Sequence, residues 1–308
     1  MNSTYVIIGI AITVVLGITI IPFMIEESDD SDHSIQIEYH DEFIIGTISS
    51  DASKMIKRFQ PTADYIAEKL STEDKKIKGK VVITKTIQDM EDLLKNDEID
   101  LYYDSPFGVI YLAEETNGNV ILNRWKENSE SYNTLCFVKK ESSINSMSDL
   151  PGKTMIFQGE ESTTGFMLPV ATLISKGYKI GYETNNDINF LFSGDDENTA
   201  HWIDEGKGDA GAVSNLDFED FPKNLKSKLK IIGETKKIPR QLVMHGQNVD
   251  PKLVENIKNI LLSMHESEEG IKILKEFKNT AKYTEFNDTE KYEEIVNMLK
   301  SLPPGIIG

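Results

Sequence analysis

The sequence predicts an α/β fold in two lobes, with two crossings of the chain between them, preceded by one N-terminal transmembrane helix. Three observations predict it. Short apolar runs alternate with amphipathic stretches from Phe43 onward, the pattern of parallel sheets covered by helices. The roughly 275 residues beyond the N-terminal segment are more than one core usually serves. The run Tyr5–Ile25 carries no charge, and about 20 such residues span a bilayer.

The elements follow in order. Tyr5–Ile25 reads as an anchor in residues 1–28. A cleaved signal peptide is the competing reading, but Met1–Thr4 offers no Lys or Arg and Glu26–Asp32 follows without a small-residue cleavage pattern. Residues 29–40 continue as an acidic linker. Phe43–Ser49 is a buried-strand pattern. Pro61–Leu70 reads as helical, with Pro61 suited to a first turn. Lys80–Thr84 is a strand, Ile87–Lys95 an amphipathic helix and Ile99–Tyr103 a third strand, and Ser105-Pro106 opens a helix through Ala113. Tyr132–Lys139 reads as a strand crossing into a second lobe. That lobe holds a strand at Lys153–Phe157, a helix from about Phe166 to Lys176, a strand at Asn189–Phe192, a helix at Asn198–Glu205 and a strand at Asp209–Val213, after which Leu229–Thr235 leads back. Ile238–Val243 is the return crossing. Pro251–Met264, Glu268–Phe277 and Thr289–Leu302 are helical. The first lobe is therefore 41–134 completed by 238–308, and the second is 135–237.

Composition narrows the function. A net charge of −18 excludes a nucleic-acid partner, whose phosphates need clustered Lys and Arg. It does not exclude a small anion, because long-range repulsion is screened beyond about 10 Å. The single cysteine, Cys136, permits no disulfide within the chain. No nucleophile elbow, P-loop or Cys/His metal spacing is present, so the sequence points away from an enzyme and implies no cofactor and no metal.

The strongest candidate site is Ser162-Thr163-Thr164-Gly165, three hydroxyls and a glycine between a strand and a helix. Backbone N–H groups at a helix start are unpaired and carry partial positive charge. One hydroxyl suffices to cap a helix; three can also surround an anion, and Gly165 allows close backbone approach. Ser105 before Pro106 either caps its helix or offers a second helix start to a cleft. Tyr102, Tyr103 and Asp104 end the same strand: a tyrosine there is core, rim or pocket lining, and Asp104 can accept from a protonated oxyanion or a ligand amine. Ser49 and Ser50 follow the first strand and face either a ligand or a plain turn.

In order and spacing, four stretches between Ile44 and Leu262 resemble the phosphonate-type solute-binding proteins of ABC importers, including relatives for phosphite and other phosphorus oxyanions. They are Gln60-Pro61-Thr62-Ala63-Asp64-Tyr65-Ile66; Asp100–Phe107; Leu150-Pro151-Gly152-Lys153-Thr154 with Glu161–Phe166; and Phe192-Ser193-Gly194-Asp195 with Gly206–Ala212. The resemblance implies a two-lobed periplasmic-binding-protein-like fold of type II with two hinge strands. It implies a phosphonate, phosphite or phosphate-like ligand in the cleft, held by Ser162, Thr163 and Thr164, and delivery to separate permease and ATPase chains. It also brings in Asn215 and Asp217, which follow a strand after which such proteins place contacts. One departure stands out: Asp196, after Asp195, occupies the place of a histidine in many members, and a carboxylate there would repel a dianion. Two alternatives remain, a ligand sensor of the same fold and a two-lobed biosynthetic enzyme. The enzyme would need a catalytic set that the lone Cys136 does not supply. The whole is expected at the membrane through Tyr5–Ile25, facing the extracytoplasmic side.

Overall fold

The computed structural model describes residues 41–303 apart from Ser50 and Lys278. The apolar run Tyr5–Ile25, the acidic run after it and the candidate Ser50 lie outside the described residues. Among those described, no helix is long and apolar enough to cross a membrane.

The first sheet grows from βα units: β1 (Glu42–Ile48), α1 (Ala52–Leu70), β2 (Lys78–Thr84), α2 (Ile87–Lys95), β3 (Leu101–Asp104), α3 (Pro106–Thr116) and β4 (Asn119–Lys126). The chain leaves by β5 (Ser131–Tyr132) and enters a second sheet. That part holds β6 (Thr134–Lys139), β7 (Thr154–Phe157), α4 (Leu168–Ser175), β8 (Asn189–Phe192), α5 (Asp196–Asp204), β9 (Ala210–Ser214), α6 (Asn215–Asp220), α7 (Lys223–Lys226) and β10 (Leu229–Glu234). It returns by β11 (Ile238–Pro239) and ends with β12 (Leu242–His245), α8 (Pro251–Ser263), α9 (Glu268–Glu276), β13 (Thr280–Glu285) and α10 (Thr289–Ser301).

The sheet orders are β13-β4-β12-β3-β1-β2 and β10-β6-β9-β7-β8. Both sheets are mixed where the alternation predicted parallel pairing. β1 runs parallel to β2 and β3, and β7 to β8 and β9, because helices connect them. β12, which arrives by a crossing, inserts antiparallel between β3 and β4. β5 and β11 pair antiparallel, Tyr132 against Ile238 and Ser131 against Pro239. The two crossings are thus one short ribbon joining the sheets.

The start of α1 and two strands differ from expectation. α1 begins nine residues before Pro61, capped by Asp51, whose carboxylate accepts from Lys54 N–H at 3.0 Å. Pro61 is interior, not in the first turn. The carbonyl it cannot serve belongs to exposed Lys57, where water can replace the lost donor. The Gln60–Ile66 stretch seats α1 on β2: Gln60 Nε2 donates to Gly79 O at 2.9 Å, and a side chain at Gly79 would meet Ala63 backbone at 2.4 Å. Strands β4 and β13, which the hydropathy pattern does not announce, complete one side of the first sheet.

Candidate functional site

A cavity of about 610 Å³ opens where strand ends and helix starts of the two sheets meet. From the second sheet it is lined by the loop Gln158–Thr164 with Phe192 and Gly194. From the first it takes Thr47–Ser49 at the end of β1, Arg58 of α1, Asp104 and Ser105 after β3, and Arg124 of β4. Tyr132 reaches it from the crossing ribbon. Binding at carboxyl ends of strands is the rule for open α/β sheets.

The hydroxyl loop divides its labour. Ser162 caps: its Oγ accepts from Gly165 N–H at 3.0 Å and donates to Gln158 Oε1 at 2.6 Å. The turn that follows, Thr163–Met167, is π-wound, and Phe166 and Met167 both donate N–H to Ser162 O at 3.1 and 3.0 Å. Such widened turns recur at functional sites. α4 therefore starts later than the predicted Phe166. Thr163 Oγ1 is buried near the Tyr132 hydroxyl, yet has no partner in hydrogen-bonding geometry among the described residues. Thr164 lines the cavity, and its carbonyl accepts from Thr134 Oγ1 at 2.7 Å. Gly165 is buried behind the lining, wedged against Gln158. It permits packing here, where close approach to a ligand was expected.

The other candidates sort as clearly. Ser105 stands at the start of α3 without a side-chain cap bond, so its hydroxyl is not spent on capping. Ser49 lines the cavity while its Oγ accepts from Asp51 N–H at 3.1 Å in a local turn. Tyr103 is fully buried among Phe59, Phe277 and Tyr283, with ring centroids 5.7–6.3 Å away, and belongs to the core. Tyr102, also buried, supports the site by donating to Asp104 Oδ2 at 2.7 Å. Asn215 accepts Asn133 N–H at 2.9 Å and so fastens α6 to the chain just after β5. Asp195 caps α5, accepting Asn198 N–H at 2.7 Å. Neither Asp195 nor Asp196 lines the cavity, and Asp217 lies on α6, away from the lining. The carboxylate inside the cavity is Asp104, with exposed Glu160 and Glu161 at its rim. Burial raises the Asp104 pKa and the Glu161 charge adds to the rise; the Ser105 N–H, the Tyr102 hydroxyl and the Ser105 hydroxyl oppose it.

The residues that sequence reasoning missed are arginines. The chain holds three, Arg58, Arg124 and Arg240, among 33 Lys and Arg together, and two of them, Arg58 and Arg124, line the cavity. Arg124 is 1% exposed. Its Nη1 donates to Thr280 Oγ1 at 2.6 Å, its guanidinium stacks 4.9 Å from the Phe277 ring, and its Nε has no partner among the described residues. Arg58 is half-buried on the cavity wall. Arg240 stands behind Tyr132, 5.9 Å from its ring. Among the described residues none of the three lies within 4.0 Å of a carboxylate. Burial lowers the Arg124 pKa most, and the like charges of Arg240 and Arg58 lower it further, yet a guanidinium keeps its proton at neutral pH. An uncompensated buried cation costs several kcal/mol, and such costs concentrate where a ligand supplies the missing charge. The scarcity of arginine in a lysine-rich chain was the available signal.

Among the described residues nothing resembles a nucleophilic centre. Cys136 is buried in β6, its thiol pushed up to about 12 by desolvation, and His201 sits on α5 beside Glu197 with about half its side chain exposed. Among the described residues no cluster of His, Cys, Asp or Glu could hold a metal ion.

Solved structures share this architecture. XAC2383 from Xanthomonas citri, determined with chloride, superposes with a TM-score of 0.79 at 22% identity, covering 85% of this chain and 98% of that one. The same protein determined with ATP gives 0.78 at the same identity and coverage. PhnD1 from Prochlorococcus marinus, in complex with methylphosphonate, gives 0.63 at 19% identity over 85% and 99% of the two chains. At these identities the likeness shows a common two-lobed fold. The family is shown by its own model, which matches residues 45–291: this chain belongs to the phosphonate periplasmic substrate-binding proteins of ABC transporters.

Proposed function

We propose that the chain captures a phosphonate, phosphite or phosphate-like oxyanion in its cleft outside the cytoplasm and delivers it to the permease of an ABC importer. The observation that carries this is Arg124, a buried guanidinium without a counter-charge, lining the same cavity as the unpartnered hydroxyl of Thr163. The ligand oxygens would take hydrogen bonds from Arg58, Arg124, Ser105, Thr163 and the N–H groups opening the π-wound turn. Residues 41–134 with 238–308 would form one lobe and 135–237 the other, closing about the β5–β11 ribbon. The apolar run Tyr5–Ile25 would hold the protein at the membrane.

A thermal-unfolding panel on the full chain tests the reading, because a ligand that binds only the folded state raises the midpoint by mass action. Methylphosphonate, phosphite, phosphate, aminoethylphosphonate and ATP form the panel, ATP because of the structure of XAC2383 with that ligand. A rise with at least one phosphorus oxyanion is expected. No rise with any of them contradicts the reading.

A further inference from the structure

We infer that Asp104 makes the cleft selective for an oxyanion that brings its own hydrogen, a monoprotonated phosphonate or phosphate, over sulfonates and sulfate. The inference rests on the reading of the cleft as a phosphorus-oxyanion site and assigns a purpose to the half-buried acid inside it.

Asp104 ends β3 and lines the cavity together with Arg58, Arg124, Ser105 and Thr163. Its Oδ1 accepts from Ser105 N–H at 2.6 Å and its Oδ2 from the Tyr102 hydroxyl at 2.7 Å. These bonds fix the carboxylate from behind. Each carboxylate oxygen has about two acceptor positions, and with the Ser105 hydroxyl also acting on the carboxylate, room is left for one donor from a ligand. No cation among the described residues lies within 4.0 Å to claim it. The titratable and charged groups around it are Tyr102 on its own strand, Tyr132 from the ribbon, Glu160 and Glu161 from the loop after β7, and the cavity-lining Arg58 and Arg124 from α1 and β4.

A fully ionised oxyanion placed among these donors would meet the Asp104 carboxylate as a like charge, in surroundings that screen poorly. An oxyanion carrying an O–H turns that repulsion into a short charge-assisted bond, donated from the ligand to the carboxylate. A phosphate-type group keeps its second proton up to a pKa of about 6 or above. A sulfonate of the same shape is a strong acid and has no proton to offer. The glutamates at the rim are exposed to water and cannot discriminate in this way.

Calorimetric titration of the full chain with methylphosphonate and with methanesulfonate, from about pH 6 to about pH 9, tests the inference. The wild type should prefer methylphosphonate by about 100-fold or more, and its affinity should fall as the pH rises through the second ionisation of the ligand. Asp104→Asn should narrow the preference to within about 10-fold, chiefly by admitting methanesulfonate. Equal wild-type affinities, or a folded Asp104→Asn variant with undiminished preference, would overturn it. If the variant does not fold, the wild-type preference and pH profile decide alone. Binding of methylphosphonate without selectivity sinks only this inference; absence of binding to every phosphorus oxyanion sinks the reading of the cleft as well.

Discussion

Ser162 and Thr163 are adjacent, alike in chemistry and different in task. Ser162 spends its hydroxyl on Gly165 N–H and Gln158, whereas Thr163 Oγ1 is buried and unspent. Ser162→Ala should therefore lower stability by about 1 kcal/mol, the usual cost of a lost cap, with the smaller effect on ligand affinity. Thr163→Val should do the reverse. It should leave the unfolding midpoint unchanged or raised, since a methyl replaces an unsatisfied hydroxyl, and weaken binding about 10-fold or more through one lost bond to a charged group. Parallel unfolding and titration of the two variants checks this; a stable Ser162→Ala that binds worse than Thr163→Val would reverse the assignment. The residue scale also relocates the acid problem. Asp195 and Asp196 looked like the obstacle to an anion, but Asp195 is a helix cap and neither lines the cavity. The acid inside the cavity is the half-buried Asp104, which shares the lining with Arg58 and Arg124.

At the scale of elements, the site depends on the turn that links β7 to α4. Its π winding is held by two N–H groups converging on Ser162 O, and Gly165 makes the close approach to Gln158 possible. A Cβ at Gly165 would come within 2.6 Å of both Gln158 Cβ and Ser162 Oγ. Gly165→Ala should cost about 1–3 kcal/mol of stability, in the range of overpacked sites, and should weaken ligand binding because Thr163 moves with the turn. Chemical denaturation with a parallel titration reads both; a variant as stable and as tight as wild type would show that the turn adapts freely. The hydroxyl loop and its flanking strand and helix were legible because capping residues, glycine and apolar runs obey local rules. β4 was not. Its apolar run is only Val120-Ile121-Leu122, and Asn123 and Arg124, both buried, then break it without alternation. A buried cation in a core strand breaks the pattern by which strands are recognised. The first half of α1, which carries Arg58, was hidden for another reason: Pro61 marks a helix start by rule, yet here it lies in the interior.

At the scale of the molecule, a chain of net charge −18 has three arginines, two lining one cleft and the third behind Tyr132, and leaves its other positive charge to lysines. The global field disfavours an anion, but it is screened within about 10 Å, and the local guanidiniums decide. The two sheets are joined by the β5–β11 ribbon, while α10 packs against both α3 and α4. Its buried Ile295 and Val296 belong to the core that runs through both sheets. Tyr292 donates to Glu114 at 2.7 Å and Glu294 pairs with Lys236, just before β11, at 2.8 Å. Fold class and the order of elements were legible from alternation and the resemblance; this helix's span across both lobes was not, because amphipathic periodicity shows that a face is buried and not what buries it.

On the proposed function, the buried and uncompensated Arg124 meets the charge of the oxyanion, which calorimetric titration of the full chain with methylphosphonate beside Arg124→Met puts to the test. The wild type should bind one ligand per chain. The variant should bind at least about 30-fold more weakly, as when one partner of a buried charge pair is truncated, and should unfold without ligand at the same or a higher temperature, because an unpaired buried cation has been removed. An Arg124→Met variant that binds as tightly as wild type would contradict the claim.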